Sequence, residues 1–312
     1  MTKAYLSVDL GGTSLRMALL DEQGKILSQQ IISSDLVRDE AGLIKVLSEE
    51  TELFRFRAEK IEAEIAGMAL GIPGLVDSIQ GIVLQSPHFP IWKNIALREA
   101  LQNKFPFPVL MENDANQAAL GEAWKGAGRD WPNFILLTLG TGIGGGIIQE
   151  GKIFHGPNGF AGEIGHIVID RNGPAGALDS QGTLESLASQ SGFKLQLENF
   201  QNLKNRVVND SSMPEKLFEL AAAGDGDALK MWQEMGAALG CGIASLSLAF
   251  GYNRFVIGGG LSAAWSFFEK SCREEAGGRI YSALAPHLEI VPASLGKDAG
   301  LIGGVRRLIL DK

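Results

Sequence analysis

Cysteine is scarce in this chain. Cys241 and Cys272 are the only two among 312 residues, far too few for a disulfide framework, and they suit a reducing compartment. Basic clusters are missing as well. Lys and Arg number 28 against 36 Asp and Glu, giving a net charge of −8, and no Lys/Arg block occurs anywhere. Phosphate-backbone binding needs a basic footprint, so nucleic acid is excluded as the main partner. The N-terminus lacks a basic stretch followed by an apolar one, so no signal peptide is read. The longest apolar run, from Met235 to Gly251, is too short for a comfortable membrane span and holds two serines. It reads as a buried helix, and the expected setting is the cytoplasm, away from membranes. Aromatic residues are few, at 7%.

Glycine, by contrast, is plentiful. The 40 glycines cluster in short motifs rather than in a low-complexity tract, as tight turns with a purpose would. The length favours two domains. Strand-like runs at Tyr5–Leu10, Arg16–Leu20 and Ile26–Ser33 precede an amphipathic helix over 39–60, with Leu43, Val46, Leu47, Leu53 and Phe54 at helical spacing. Further strands at "EIAGMALGI", "PVLMEND", "FILLTLG", "RFVIGGG" and "LEIVPA" alternate with helices near 96–104, 115–128, 184–250 and 299–310. Such alternation predicts an α/β fold.

Two segments echo each other. "YLSVDLGGTSLRMALLDEQGKIL" and "FILLTLGTGIGGGIIQEGKIF" both run from an apolar strand through Leu-Gly and a Gly/Thr turn into a returning strand. The echo predicts a duplicated domain with two phosphate-facing turns opposed across a cleft. Gly-rich turns at strand ends expose backbone N–H groups that cradle phosphate oxygens. Gly11, Gly12 and Thr13 form the first turn. Thr138, Gly140, Thr141 and Gly142, continuing to Gly144, Gly145 and Gly146, form the second. Asp9 would repel a phosphate directly, so its carboxylate points to Mg²⁺ or its bound waters. Structural hairpins would use glycine too. Neither a Walker loop nor a Rossmann fingerprint is present. Gly258, Gly259 and Gly260 end a later strand. Gly300, Gly303 and Gly304 sit in the last helix, where either close packing or a hinge would justify them.

Together, "DLGGTSLR", "ENDANQAALGE", "LGTGIGGGII", "GFAGEIGH" and "GTLESLAS" resemble the ROK family of sugar kinases and sugar-responsive repressors, within the actin/hexokinase-like ATPase superfamily. The match runs from about residue 5 to 305. It implies a two-domain actin-like ATPase (ribonuclease H-like) fold with an interdomain cleft, binding ATP with Mg²⁺ and a hexose. The expected domains are 1–114 with 298–312, smaller, and 115–297, larger. Gly258–Gly260 join the two turns in binding the nucleotide. Repressor members place a winged helix ahead of the first strand; this strand starts at residue 5, which favours the kinase branch. The resemblance also implies a homodimer.

Phosphoryl transfer to an alcohol needs a proton acceptor at the attacking hydroxyl. The resemblance gives that role to Asp114. From the residues alone, Asp114 with Gln117 equally makes an N-cap and capping box. The resemblance gives sugar hydroxyls to Asn113, Glu163, His166 and Glu185, although Glu185 would also favour a helix N-terminus and His166 a hydrogen-bonded core site. Two departures stand out. Many family members hold zinc through this His and three cysteines, which fall here on Gly176, Leu178 and Thr183. None of these binds metal, so no zinc is expected. His88 stands where the family commonly has Asn. The expected activity is hexose phosphorylation, with glucose first and N-acetylhexosamine, mannose or fructose next. A non-catalytic sugar sensor and an actin-like ATPase or scaffold are the rivals.

Overall fold

The computed structural model describes residues 2–176, 180–207 and 212–311. The chain divides into two compact units. The first comprises Met1–Pro132, Gly146–Gly162 and Ser294–Lys312; the second comprises Asn133–Gly145 and Glu163–Ala293.

In chain order the first unit contains β1 (Thr2–Leu10), β2 (Ser14–Asp21), β3 (Ile26–Ser33), α1 (Glu40–Glu59), β4 (Ala63–Ile72), β5 (Leu75–Asp77), β6 (Ile82–Gln85), β7 (Lys93–Ile95), α2 (Leu97–Gln102), β8 (Val109–Asn113) and α3 (Asp114–Lys125). Next come β9 (Phe134–Leu139), β10 (Ile143–Gln149) and β11 (Lys152–Ile153). The second unit continues with α4 (Leu184–Ala188), α5 (Gln190–Gln196), α6 (Gln201–Val207), α7 (Met213–Ala222), α8 (Gly226–Phe250), β12 (Arg254–Gly258), α9 (Trp265–Arg279) and β13 (Glu289–Pro292). The last helix, α10 (Ala299–Leu310), returns to the first unit.

The first sheet has the order β3-β2-β1-β4-β8, with β1 antiparallel to β2 and parallel to β4. Period-2 alternation explains why β1 is apolar on both faces. Leu6, Val8 and Leu10 join Leu43, Leu47 and Phe54 of α1 in one cluster, while Tyr5 joins Leu301 and Val305 of α10 in another. Leu53, expected on the buried face of α1, is 52% exposed; the helix turns Thr51 and Ala58 inward instead. The sequence pattern did not reveal the three-stranded sheet β5-β6-β7. The second large sheet has the order β11-β10-β9-β12-β13, with β12 parallel to both β9 and β13.

The units differ from the expected domains in placing α3 with β1–β8. The physical reason is its packing on α10, also in that unit. A Cβ at Gly303 would lie 1.7 Å from the carbonyl oxygen of Gln117, so only glycine lets the two backbones meet. Close packing therefore accounts for this glycine in a helix interior. The run from Met235 lies within α8, as expected, and among the described residues no helix is long and apolar enough to cross a membrane. Both cysteines are free, and burial pushes the Cys272 thiol up to about 12.

Candidate active site

In the first unit, the carboxylate of Asp9 comes from the end of β1 and meets Arg16 across the hairpin register. Gly11, Gly12 and Thr13 make the connection, closed by the Gly11 N–H donating to the Ser14 carbonyl at 2.9 Å. Ser34 holds this turn from behind: its hydroxyl donates to the Gly12 carbonyl at 2.8 Å and its N–H to the Thr13 carbonyl at 3.2 Å. Backbone N–H groups of such a turn can cradle an anion.

Burial, then the charge of Asp114, pushes the Asp9 carboxyl up to about 6 against the opposing pull of Arg16. Arg16 is itself anchored by Asp298, at 2.6 Å from Nη2. Burial likewise raises the Asp114 carboxyl above its usual range, opposed by the Ala115 N–H and by the charge of His88. Two part-buried carboxylates, each raised by burial and one of them also by its neighbour's charge, are a setting a divalent cation relieves. His88 stands over the turn; its Nδ1 would lie 2.8 Å from a Cβ at Gly12. The structure thus brings His88, Gly12, Asp9 and Asp114 together.

The helix cap is Asn113, not Asp114. Oδ1 of Asn113 accepts from the N–H groups of Ala115 at 2.9 Å and Asn116 at 3.1 Å, and Nδ2 donates to the Gly74 carbonyl at 3.1 Å. Nor does Gln117 reach back to close a capping box: Nε2 donates to the carbonyls of Val8 at 3.1 Å and Gly300 at 2.9 Å. Asp114 is therefore the first helical residue, relieved of capping.

In the second unit, Thr138, next to the end of β9, pairs with Gly258 of β12. The turn Gly140–Thr141–Gly142 closes like the first, with the Gly140 N–H donating to the Gly142 carbonyl at 2.9 Å. The start of α5 braces it: Gln190 and Ser191 donate backbone N–H groups to the Gly140 and Thr141 carbonyls. Glu185, in the first turn of α4, accepts from the Ile143 N–H at 2.9 Å. Glu163 and His166 flank a single helical turn, with Nε2 of His166 3.9 Å from Oε2 of Glu163.

Beside this second turn lies a cavity of about 490 Å³, the size of a small-molecule site. Gly140 and Gly260 line one part; Phe218, Trp232 and Leu261 give apolar walls, and Glu215 and Glu219 add carboxylates. The indole N–H of Trp232 is buried without a partner. These residues fit a nucleoside. Of this lining, Gly140 and Gly260 are residues the sequence singled out; Gln190, Glu215, Phe218, Glu219 and Trp232 are not, and Phe218 and Trp232 carry the same apolar helical signal as any core.

The residues at the family's zinc positions do not fit that metal. Leu178 lies outside the described residues. Around it, hydrogen bonds do the ordering: Gly176 N–H to Ser180 carbonyl at 2.7 Å, Gly182 N–H to Pro174 carbonyl at 2.8 Å and Leu184 N–H to Ile167 carbonyl at 2.9 Å. The Thr183 hydroxyl accepts from the Ser186 N–H at 3.2 Å. Among the described residues no cluster of three or more His, Cys, Asp or Glu side chains is placed to hold a metal.

The family model of the ROK family matches residues 5–309. A glucokinase of Halalkalibacterium halodurans is 34% identical over 308 residues, covering 96% of this chain and 93% of that protein. A xylose repressor of Caldicellulosiruptor bescii is 28% identical, covering 99% of this chain and 78% of the repressor. Among solved structures, a ROK family glucokinase from Streptomyces griseus in complex with glucose and AMPPNP superposes with a TM-score of 0.79 at 29% identity, covering 98% of each chain. The fold is the two-domain α/β architecture of actin-like ATPases.

Proposed function

Because the chain belongs to the ROK family, we propose that it is an ATP-dependent sugar kinase that phosphorylates a hexose, glucose in the first place. The observation that carries this reading is Asp114: a part-buried carboxylate beside Asp9, with its carboxyl raised and the capping duty taken by Asn113. A base works best when its proton affinity approaches the operating pH, and burial moves Asp114 in that direction.

In this reading Asp114 accepts the proton of the attacking hydroxyl. Asn113, Glu163, His166 and Glu185 hold other hydroxyls of the sugar. Backbone N–H groups of the Gly11–Thr13 and Gly140–Gly142 turns, with Thr138 and Gly258–Gly260, bind the phosphates, and the cavity at Trp232 and Phe218 takes the nucleoside. Asp9 would hold Mg²⁺ through bound water, and the ion when bound neutralises charge on the transferring phosphoryl group. ATP meets such a reaction in the cytoplasm. The structure of the Streptomyces griseus glucokinase with glucose and AMPPNP supports the choice of substrates.

A second reading, a sugar sensor without turnover, is favoured by the similarity to a xylose repressor. A coupled assay of ADP release over glucose, N-acetylglucosamine, N-acetylmannosamine, mannose and fructose separates the two. A kinase releases ADP only with sugar, fastest with glucose. Sugar binding without ADP release supports the sensor, and sugar-independent hydrolysis overturns both readings in favour of a plain ATPase.

A further inference from the structure

Glu112 immediately precedes Asn113 and Asp114 and is 1% exposed. Its two oxygens serve different parts of the first unit. Oε1 accepts from the backbone N–H of Asn113 at 3.1 Å and from Nδ2 of Asn116 at 3.0 Å. These bonds fix the corner where β8 becomes α3. Oε2 lies 2.8 Å from Nε2 of His155, which donates to it, and 3.6 Å from Nε of Arg307 in the last turn of α10. His155 stands just after β11, on the segment "HGPNGFAG" that runs directly into Glu163.

A buried carboxylate with an arginine nearby is a poor device for stability alone. Desolvation offsets much of its Coulombic gain, and an apolar side chain of similar volume often closes a core as well or better. What an apolar side chain lacks is directional control. A carboxylate with three donors in fixed places pins the backbone nitrogen of Asn113, the Asn116 side chain and the His155 ring at once. Transfer chemistry is sensitive to such placement at the ångström scale.

We propose that Glu112 is a positioning residue, whose carboxylate holds the Asn113–Asp114 corner through one oxygen and ties it, through His155 on the other, to the segment leading into Glu163. The proposal rests on the sugar-kinase reading for its consequence. Its geometry does not depend on that reading.

The test uses the full-length protein with His155→Leu and His155→Gln. Leucine removes the donor to Oε2; the glutamine amide retains one. His155→Leu should lower kcat by about tenfold to a hundredfold and raise the sugar KM, while the KM for ATP stays within about twofold. His155→Gln should recover most of the loss. Wild-type kcat and sugar KM in His155→Leu overturn the proposal. So does a His155→Gln variant as impaired as His155→Leu, or a loss that raises the KM for ATP as much as that for sugar, since a merely structural brace would act on both. Should His155→Leu fail to fold, Glu112→Gln serves: it keeps an acceptor for Asn113 but not the pairing with His155, and the same split between kcat and ATP KM is expected.

Calorimetric titration with glucose reads the same coupling without turnover, the expected result being an affinity about tenfold weaker in His155→Leu. Unchanged affinity there overturns the proposal whether or not the protein is a kinase. Absence of ADP release from the wild type with every sugar overturns the kinase reading alone.

Discussion

Glu185 places Oε2 2.9 Å from the backbone nitrogen of Ile143, so the carboxylate assigned to a sugar hydroxyl also fastens the second glycine turn. A Cβ at Gly142 would come within 2.2 Å of the same oxygen. In the proposed reaction one side chain would therefore serve both substrates. Glu185→Ala strands the Ile143 N–H, at roughly 1–3 kcal/mol for an unmet buried donor. The expected outcome is a rise of about tenfold or more in KM for both ATP and glucose, measured by initial rates varied in both substrates. Glu185→Gln, which keeps an acceptor for Ile143, should spare the ATP term. A rise confined to glucose in Glu185→Ala would separate the turn from the carboxylate.

Asp114→Asn tests the base. Asparagine keeps the size and can still meet the Ala115 N–H that Asp114 accepts at 2.9 Å, so folding and sugar binding should persist. Turnover should fall by about 10²–10⁴-fold, the usual contribution of such a base. Turnover near that of the wild type, in a variant that binds glucose normally, removes Asp114 from the role.

How much of this was legible in the sequence follows from what each residue type announces. Glycines at strand ends announce themselves, and both turns formed where Gly11–Thr13 and Gly140–Gly142 predicted them, each closed by a backbone hydrogen bond from its first glycine. The cap at α3 was not legible as a choice between neighbours: Asn113 and Asp114 are both good caps, and the extended backbone of Asn113 decides it. Gln117 was read locally as a capping partner, but its amide is engaged at Val8 and Gly300, contacts remote in sequence. The walls of the second unit's cavity were invisible for a similar reason. Trp232 and Phe218 carry the same apolar helical signal as core residues, and only tertiary placement separates a lining from a filling. Strands β5 and β7, of three residues each, are too short for a period-2 pattern to register.

The pH dependence of kcat/KM follows from the same pair of carboxylates. A base must be deprotonated to act, and burial raises the Asp114 carboxyl above the ordinary range of about 4. Activity should therefore fall with acid through a midpoint above that range, in a limb belonging jointly to Asp9 and Asp114. His88 opposes the rise, so His88→Asn should move the limb to higher pH. Rates over a pH series at saturating Mg²⁺ measure it. A limb at or below the ordinary carboxylate range, or a downward move in His88→Asn, contradicts the assignment.

Gly303→Ala should destabilise the first unit. The added methyl would meet the Gln117 carbonyl at 1.7 Å and the Gly121 nitrogen at 2.8 Å, both backbone atoms that cannot rotate away. Parting α3 from α10 is the remaining response, at about 1–3 kcal/mol by the usual cost of overpacking. Thermal melting of the variant should show a lower Tm. Since α3 begins at Asp114, kcat should fall as well, even well below the melting temperature. An unchanged Tm would show that the two helices are less closely fitted than Gly303 indicates.

Zinc should be dispensable. Gly176 and Thr183 offer no thiolate, and backbone hydrogen bonds from Gly176, Gly182 and Leu184 hold the neighbouring chain instead. A structural zinc contributes on the order of 10 kcal/mol in small zinc peptides, so a segment that depended on it would not survive its removal. Metal analysis of the purified protein should find far less than one zinc per chain. Dialysis against a chelator, followed by restoration of Mg²⁺, should leave both Tm and glucose-dependent ADP release unchanged. If about one zinc per chain co-purifies, or chelation lowers Tm irreversibly under Mg²⁺ and reversibly under zinc, then another set of donors holds the metal. In that case His166, the one family ligand retained, is the first residue to replace, and His166→Ala should abolish the bound zinc.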